Sequence, residues 1–366
     1  MVPFQNFVPL KPKRCVVIME TTHNRHPDRS GSEFPGKRRK IALKMNVQKK
    51  ELNPPSNSLA TKRHLLLEDL KRNWVLWVML IPAIVFFVIN SYLPMSGIWF
   101  AFIDFNFKDG LFGSPFVGLK NFEYLFKSDI LVKLTVNTVL YNVAFIVLGN
   151  ILQVFMAILI SQLTAKWFKK TTQTMMFMPY FTTYVILAVA VFNIFNYDYG
   201  MINSLLGKLG IDPVNFYGEE GWWPFLITIF YIWKNIGYGM VVYLAAIMGI
   251  DKGLYEAAEV DGANIFHRIR YIILPHLKPT FIILLVYAVG GIMRGQFSLF
   301  YQIIGDNGLL YDVTDIIDTY VYRVTTTNAD FSLGTAAGLY QSVFGLLTVL
   351  LVNWLIKRKN PEYAMF

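Results

Sequence analysis

The sequence predicts an all-α integral membrane protein with six transmembrane helices and both termini cytoplasmic. Three observations carry that expectation. Of the 366 residues, 54% are apolar or aromatic and 16% charged, whereas a soluble domain carries about 25% charge. The apolar residues fall into six runs, each near or above the roughly 20 residues that a helix needs to cross a 30 Å hydrocarbon core. Between the runs, basic and acidic segments alternate in the order that the positive-inside rule requires.

Taken from the start, residues 1–59 read as a basic, disordered cytoplasmic tail. Lys37-Arg38-Arg39-Lys40 and Asn53-Pro54-Pro55-Ser56-Asn57 lie in it without hydrophobic periodicity. The whole net charge of +10 belongs to residues 1–73, and the remaining 293 residues balance to zero. That placement excludes a DNA-reading surface, so no nucleic-acid partner is expected. The single cysteine, Cys15, excludes an intrachain disulfide, and no early apolar stretch reads as a cleavable signal peptide. The lack of pattern before Met45 leads us to expect the native start there; intact-mass detection of residues 1–44 would reject it. Residues 60–73, with Leu65, Leu66, Leu67 and Leu70 among charges, suit an amphipathic helix lying on membrane lipid.

The remainder, 74–366, holds the six runs, near 74–95, 134–162, 174–196, 223–249, 279–303 and 333–356. Trp74, Trp77, Tyr92 and Trp99 bracket the first run, and Trp222 and Trp223 open the fourth, as an interfacial aromatic belt would. Lys166, Lys169 and Lys170 follow the second run, Lys252, Arg268, Arg270 and Lys278 the fourth, and Lys357-Arg358-Lys359 the sixth. The 3–4 and 5–6 loops are acidic, the latter with Arg323 against five aspartates. Those charges place both termini and the 2–3 and 4–5 loops in the cytoplasm.

The 4–5 loop, 251–278, is the informative stretch. Asp251 caps a helix, and Leu254, Ala257, Ala258, Ile265, Ile269 and Ile272 recur at helical spacing. Gly262 interrupts the pattern where it costs about 1 kcal/mol relative to Ala, so a bend is expected there. Pro275 and Pro279 are expected to end the loop and start the fifth helix. The product is two short amphipathic helices forming a cytoplasmic knob.

Glu256-Ala257-Ala258, then Gly262, Ile272, Leu274 and Pro275, resemble the EAA loop of binding-protein-dependent ABC-importer permeases, with Asp261 beside the glycine. In that family the knob docks on a cytoplasmic ATPase and passes its closure to the membrane helices. The resemblance runs from about residue 74 to the C-terminus. Phe116–Phe126 and Tyr199–Leu206 are similar to the outer loops of sugar-type permeases. Gly305-Asp-Asn-Gly308 replaces the Gly-Gly-Pro of many sugar permeases, and Asp312–Arg323 resembles the oligo- and polysaccharide subgroup. The resemblance implies a multi-pass permease of the bacterial cell membrane that imports oligosaccharides or polysaccharide fragments by alternating access. It further implies as partners a second homologous permease or a second copy, two ABC ATPase subunits and an extracellular solute-binding protein. ATP and magnesium would be used by the ATPase, with no cofactor bound by this chain.

The residues are consistent with a transport subunit rather than an enzyme. No Gly-x4-Gly-Lys-[Ser/Thr] phosphate loop, Gly-x-Ser-x-Gly elbow or His-Glu-x-x-His pair occurs, and the five histidines all fall on segments read as cytoplasmic. No catalytic residue or metal site is therefore expected. A membrane-embedded glycosyltransferase-like enzyme or a passive sugar channel is the alternative. The acidic 5–6 loop lacks basic or His partners for the first, and a channel has no use for a coupling knob.

Lys234 and Arg294 sit at membrane depth, where ionisable groups are expensive and usually face a partner or a cavity. Lys234 is expected to bridge backbone carbonyls or to meet a neighbouring permease. Arg294 is expected either to line the translocation path or to pair with Asp306 or Asp312. Sugar recognition needs aromatic faces and converging polar groups. Helices four to six offer Trp233, Asn235, Tyr238, Tyr243, Tyr287, Gln296, Tyr340 and Gln341 beside Arg294 as candidates, most of which helix packing should claim.

Overall fold

The computed structural model describes residues 72–359. The expected tail and all but the last two residues of the expected surface helix 60–73 lie outside the described residues. Contact density divides the chain at Trp74, and the unit that follows is the one described here. Among the described residues its regular secondary structure is helical, apart from one isolated bridge between Ile103 and Phe116.

Among the described residues, five helices are long and apolar enough to cross a membrane: α1 (Trp74–Phe102), and, further along the chain, Ile130–Ser161, Glu220–Met248, Ile265–Gly290 and Phe331–Arg358. Between the first two of these lies α2 (Lys120–Lys127), so Ile130–Ser161 is α3. The sixth candidate span is a broken pair, α4 (Lys166–Phe181) and α5 (Tyr184–Phe195), apolar enough together to cross a membrane but bent by 95°. Next come α6 (Met201–Lys208), α7 (Glu220–Met248), α8 (Lys252–Val260) and α9 (Ile265–Gly290). The chain closes with α10 (Phe297–Ile304), α11 (Ile317–Thr326) and α12 (Phe331–Lys359). The six expected spans are thus present, with two differences. The third is sharply bent, and the fifth stops at Gly290 and resumes at Phe297 after six non-helical or turn residues.

Proline explains the local helix geometry. A proline lacks the N–H of the helical ladder and its ring presses on the carbonyl four residues back. Two π-turns, Val88–Tyr92 and Ile269–Ile273, each end two residues before a proline, Pro94 and Pro275. Widening the turn there gives the ring room without ending the helix. Consequently the expectation that Pro275 and Pro279 start the fifth helix is corrected: α9 runs continuously from Ile265 to Gly290, with both prolines inside it.

The core lies in three clusters. The first gathers Phe145, Leu187, Trp223, Leu299 and Phe300 between α3, α5, α7 and α10. Trp223 is fully buried and its indole N–H donates to Phe216 O at 2.7 Å. It is thus a core residue and not part of an interfacial belt, whereas Trp222 remains exposed. The second cluster joins Leu131 and Leu134 of α3 to α11 and α12. The third, Ala157, Met240, Leu244, Ile247, Ile273 and Leu277, sits at the opposite end of the bundle, below α8. By contrast, none of Trp74–Met95 is buried; their apolar side chains face outward all round.

Candidate functional site

The 251–278 stretch forms one short helix, α8, and a turn at Gly262, while the second of the two expected short helices is the first part of the long α9. Asp251 caps α8, its carboxylate accepting from Gly253 N at 3.0 Å. At the far end Ala263 N donates to Ala258 O (2.8 Å) and Gly262 N to Glu259 O (3.1 Å). Those two bonds are the paired closure of a helix by a left-handed residue, and Gly262 supplies it with φ +71°. The geometry accounts for the motif's spacing: the glycine must stand four residues beyond Ala258 for the chain to turn back onto that carbonyl. Asn264 then caps α9 by accepting from His267 N (2.9 Å), a role the sequence reading missed although Asn is a favoured cap.

The knob's outer surface is apolar as well as polar. Val260 is 88% and Phe266 76% exposed, while Glu256, Ala257 and Asp261 are also exposed. Its inner side is rooted in the third cluster through Tyr255, Ile269 and Ile272. Leu274 and Pro275 are exposed on α9 one turn further on. From there α9 continues without interruption to Gly290.

Where α9 stops, the chain borders a cavity of about 710 Å³. Tyr287, Arg294, Gln296 and Gln341 of the expected path residues line it together, joined by Asn142, Tyr231 and Ser342, which the sequence reading did not single out. A polar residue at position 142 inside an otherwise apolar helix was the available signal. Three side chains brace the break. Asn142 Nδ2 donates to Arg294 O (3.1 Å), and Gln341 Nε2 to Met293 O (2.7 Å) and to Asp318 Oδ2 (2.8 Å). The same Asp318 oxygen accepts from Gly295 N (2.7 Å). Non-helical backbone at membrane depth is tolerated where protein satisfies it or where it lines a cavity, and both conditions hold here.

The other candidates lie elsewhere. Tyr243 is fully buried, its hydroxyl donating to Asn150 Oδ1 at 2.7 Å. The Tyr340 hydroxyl is 3.1 Å from Thr135 Oγ1 and its ring packs on Phe344. Asn235 Nδ2 donates to Tyr231 O in its own helix. Trp233 and Tyr238 are about half exposed, and Tyr238 stacks on Tyr180. None of these five lines the cavity.

Lys234 bridges carbonyls, as expected. Its ammonium donates to Tyr180 O (2.8 Å), Thr182 O and, at 3.5 Å, Pro179 O, at the α4–α5 bend. One turn along α7, a Cβ on Gly237 would collide with the Met176 carbonyl, so the glycine lets α7 press backbone to backbone against α4. The acids once considered for Arg294 are engaged elsewhere: Asp312 pairs with Lys133, and Asp306 accepts from Tyr311. Nearby, Arg323 pairs with Asp315 and stacks over the Tyr311 ring at 4.0 Å. Burial works against the charge on Arg323, but hydrogen bonding and attraction from Asp315 outweigh it and raise the guanidinium above its ordinary value.

Residues 149–361 match the family described as binding-protein-dependent transport system inner membrane component. The chain is 33% identical over 301 residues to the polygalacturonan/rhamnogalacturonan transport system permease protein YteP of Bacillus subtilis, covering 82% of this chain and 93% of that protein. Protein LplB of the same organism is 32% identical over 293 residues, or 80% and 92% of the two chains. Among solved structures, a bacterial ABC transporter involved in the import of the acidic polysaccharide alginate superposes with a TM-score of 0.73 at 33% identity, over 81% of this chain and 99% of that one. A second structure of a bacterial alginate ABC transporter, in complex with an alginate pentasaccharide-bound periplasmic protein, gives 0.72.

Proposed function

Because this chain belongs to the binding-protein-dependent transport system inner membrane components and is a multi-pass permease subunit of an ABC importer, we propose that it carries oligosaccharides or polysaccharide fragments through the cavity beside Arg294, driven from the 251–278 knob. The cargo class is supported by what its relatives are named for, polygalacturonan and rhamnogalacturonan in one case and alginate in another. The site is the bacterial plasma membrane, with the knob and both termini on the cytoplasmic side. A second permease, identical or homologous, completes the path. Two cytoplasmic ATPase subunits bind ATP and magnesium, and an extracellular solute-binding protein delivers the cargo.

One observation carries the coupling: α9 leads unbroken from the knob to the turn at 291–296 that borders the cavity. Glu256, Ala257, Ala258, Asp261 and Gly262 form the docking end, and Ile272, Leu274 and Pro275 the root of the rod. When the ATPases close, the knob moves with them. The third cluster transmits the shift to α3 and α7, and α9 carries it to the cavity wall. Tyr287, Arg294, Gln296 and Gln341 touch the cargo, and the two end states expose the cavity to opposite sides.

Affinity purification of the chain from its own membranes tests this reading. The expected result is co-recovery of an ATPase and a second permease, lost with Gly262→Val although the variant still inserts. Recovery of the folded chain alone at every detergent strength would overturn it.

A further inference from the structure

Three cations packed among the helices and outer loops have protein partners. Lys234 is held by three carbonyls, Lys133 by Asp312, and Arg323 by Asp315 and the Tyr311 ring. Arg294 differs. Its backbone is fixed, the amide donating to Gly291 O (2.9 Å) and the carbonyl accepting from Asn142. Its guanidinium has no hydrogen bond, ion pair or ring partner among the described residues, and the side chain is exposed in the cavity. The closest acid in the brace, Asp318, spends its bonds on Gly295 and Gln341.

The surroundings sharpen the point. Of the sixteen residues lining the cavity, Arg294 is the one cation and none is acidic. The volume, about 710 Å³, falls within the roughly 300–1,000 Å³ of small-molecule sites. Asn142 lies 12 residues into α3 and Gln341 10 residues into α12, about 15–18 Å from the ends of those helices, so the guanidinium is far from either water interface. A charge held at that depth without a protein counter-ion is costly unless it meets water or an anion. Tyr231 and Tyr287 add aromatic faces to the same wall, suited to the apolar face of a sugar ring.

On the permease reading above, we propose that Arg294 determines specificity by charge: it pairs with carboxylates of acidic oligosaccharides, uronate units, as they cross the cavity. A guanidinium presents a planar fork of donors that fits a carboxylate through two parallel hydrogen bonds, whereas a neutral sugar gains no such pair. The brace from Asn142, Gln341 and Asp318 fixes the backbone on both sides of Arg294, which keeps the fork at one place along the path.

The test uses the complete importer, with its ATPase and binding protein, in liposomes. Uptake of trigalacturonate and trimannuronate is compared with that of their methyl esters, in the native chain and in Arg294→Gln and Arg294→Lys. The binding protein is common to all three, so its own preference cancels in the comparison. The expected result is an acid-to-ester uptake ratio at least about tenfold lower in Arg294→Gln, the loss of a charge-assisted pair, and partly restored by Arg294→Lys. An unchanged ratio in Arg294→Gln would overturn the proposal. So would an equal loss of acid and ester, which marks a structural residue, or failure of the native complex to take up either acid while it hydrolyses ATP. Absence of an associated ATPase would instead overturn the permease reading itself.

Discussion

Gly262 and Lys234 show how much a single residue does in this chain, and each predicts a different failure. Gly262 holds φ +71° with open space around its Cβ position, so a substitution there is opposed by backbone strain and not by a clash. A left-handed L-residue costs about 1–2 kcal/mol, and Asn tolerates it best. Gly262→Asn should therefore retain most ATP-driven uptake, while Gly262→Val, equally well inserted, should lose most of it. Uptake measured against the amount of co-purified ATPase separates the two. Lys234 fails by stability instead. Lys234→Met fills a similar volume but takes the ammonium donor from the carbonyls of Tyr180 and Thr182, and a buried group left unsatisfied costs about 1–3 kcal/mol. Thermal unfolding in detergent should drop by several degrees, with Lys234→Arg restoring part of the loss. Equal melting temperatures for the native chain and Lys234→Met would contradict the clamp.

Elements divide into those that composition describes and those that direction describes. The fourth span, expected over 223–249, is Glu220–Met248, and the sixth, expected over 333–356, is Phe331–Lys359. Their length and apolar content were enough. The 95° bend at 182–183 and the stop at Gly290 were not legible in the same way, because a run of apolar residues scores alike whether it is straight, bent or interrupted. Pro179, the Gly290-Gly291 pair and Gly295 were the local signals. Their meaning depended on partners far along the chain: Lys234 for the bend, and Asn142, Asp318 and Gln341 for the stop. The candidate site divides along the same line. The knob is local in sequence and its residues were legible, down to the glycine. The cavity is assembled from four helices, so of nine candidates four meet there. The brace makes an element-scale prediction: Gln341→Leu should speed hydrogen exchange of the backbone at 291–296 by about tenfold or more while α9 and α12 remain protected. Unchanged exchange at those amides would show that the stop is held by other means.

At the scale of the whole molecule, the ends of the bundle differ in charge and in core. The knob end carries Lys166, Lys169 and Lys170 beside the third cluster, and the opposite end carries Asp198, Asp212, Glu219 and Glu220. With the knob end cytoplasmic, a membrane-impermeant maleimide should label Asp212→Cys in intact cells. Lys169→Cys should react only after permeabilisation. Labelling of Lys169→Cys from outside would invert the topology.

The clamp at the third span also bears on how the chain is made. Synthesis proceeds from the N-terminus, so the bend at 182–183 leaves the ribosome roughly fifty residues before Lys234 does. Until then its carbonyls have no donor from α7, and bare carbonyls are not tolerated in hydrocarbon. The third hydrophobic segment should therefore wait at the insertion machinery and enter lipid together with the fourth. In chains truncated after residue 215, Val185→Cys should stay open to a water-soluble maleimide, whereas in chains truncated after residue 255 lipid should shield it. Lys234→Met in the longer chain should behave more like the shorter one.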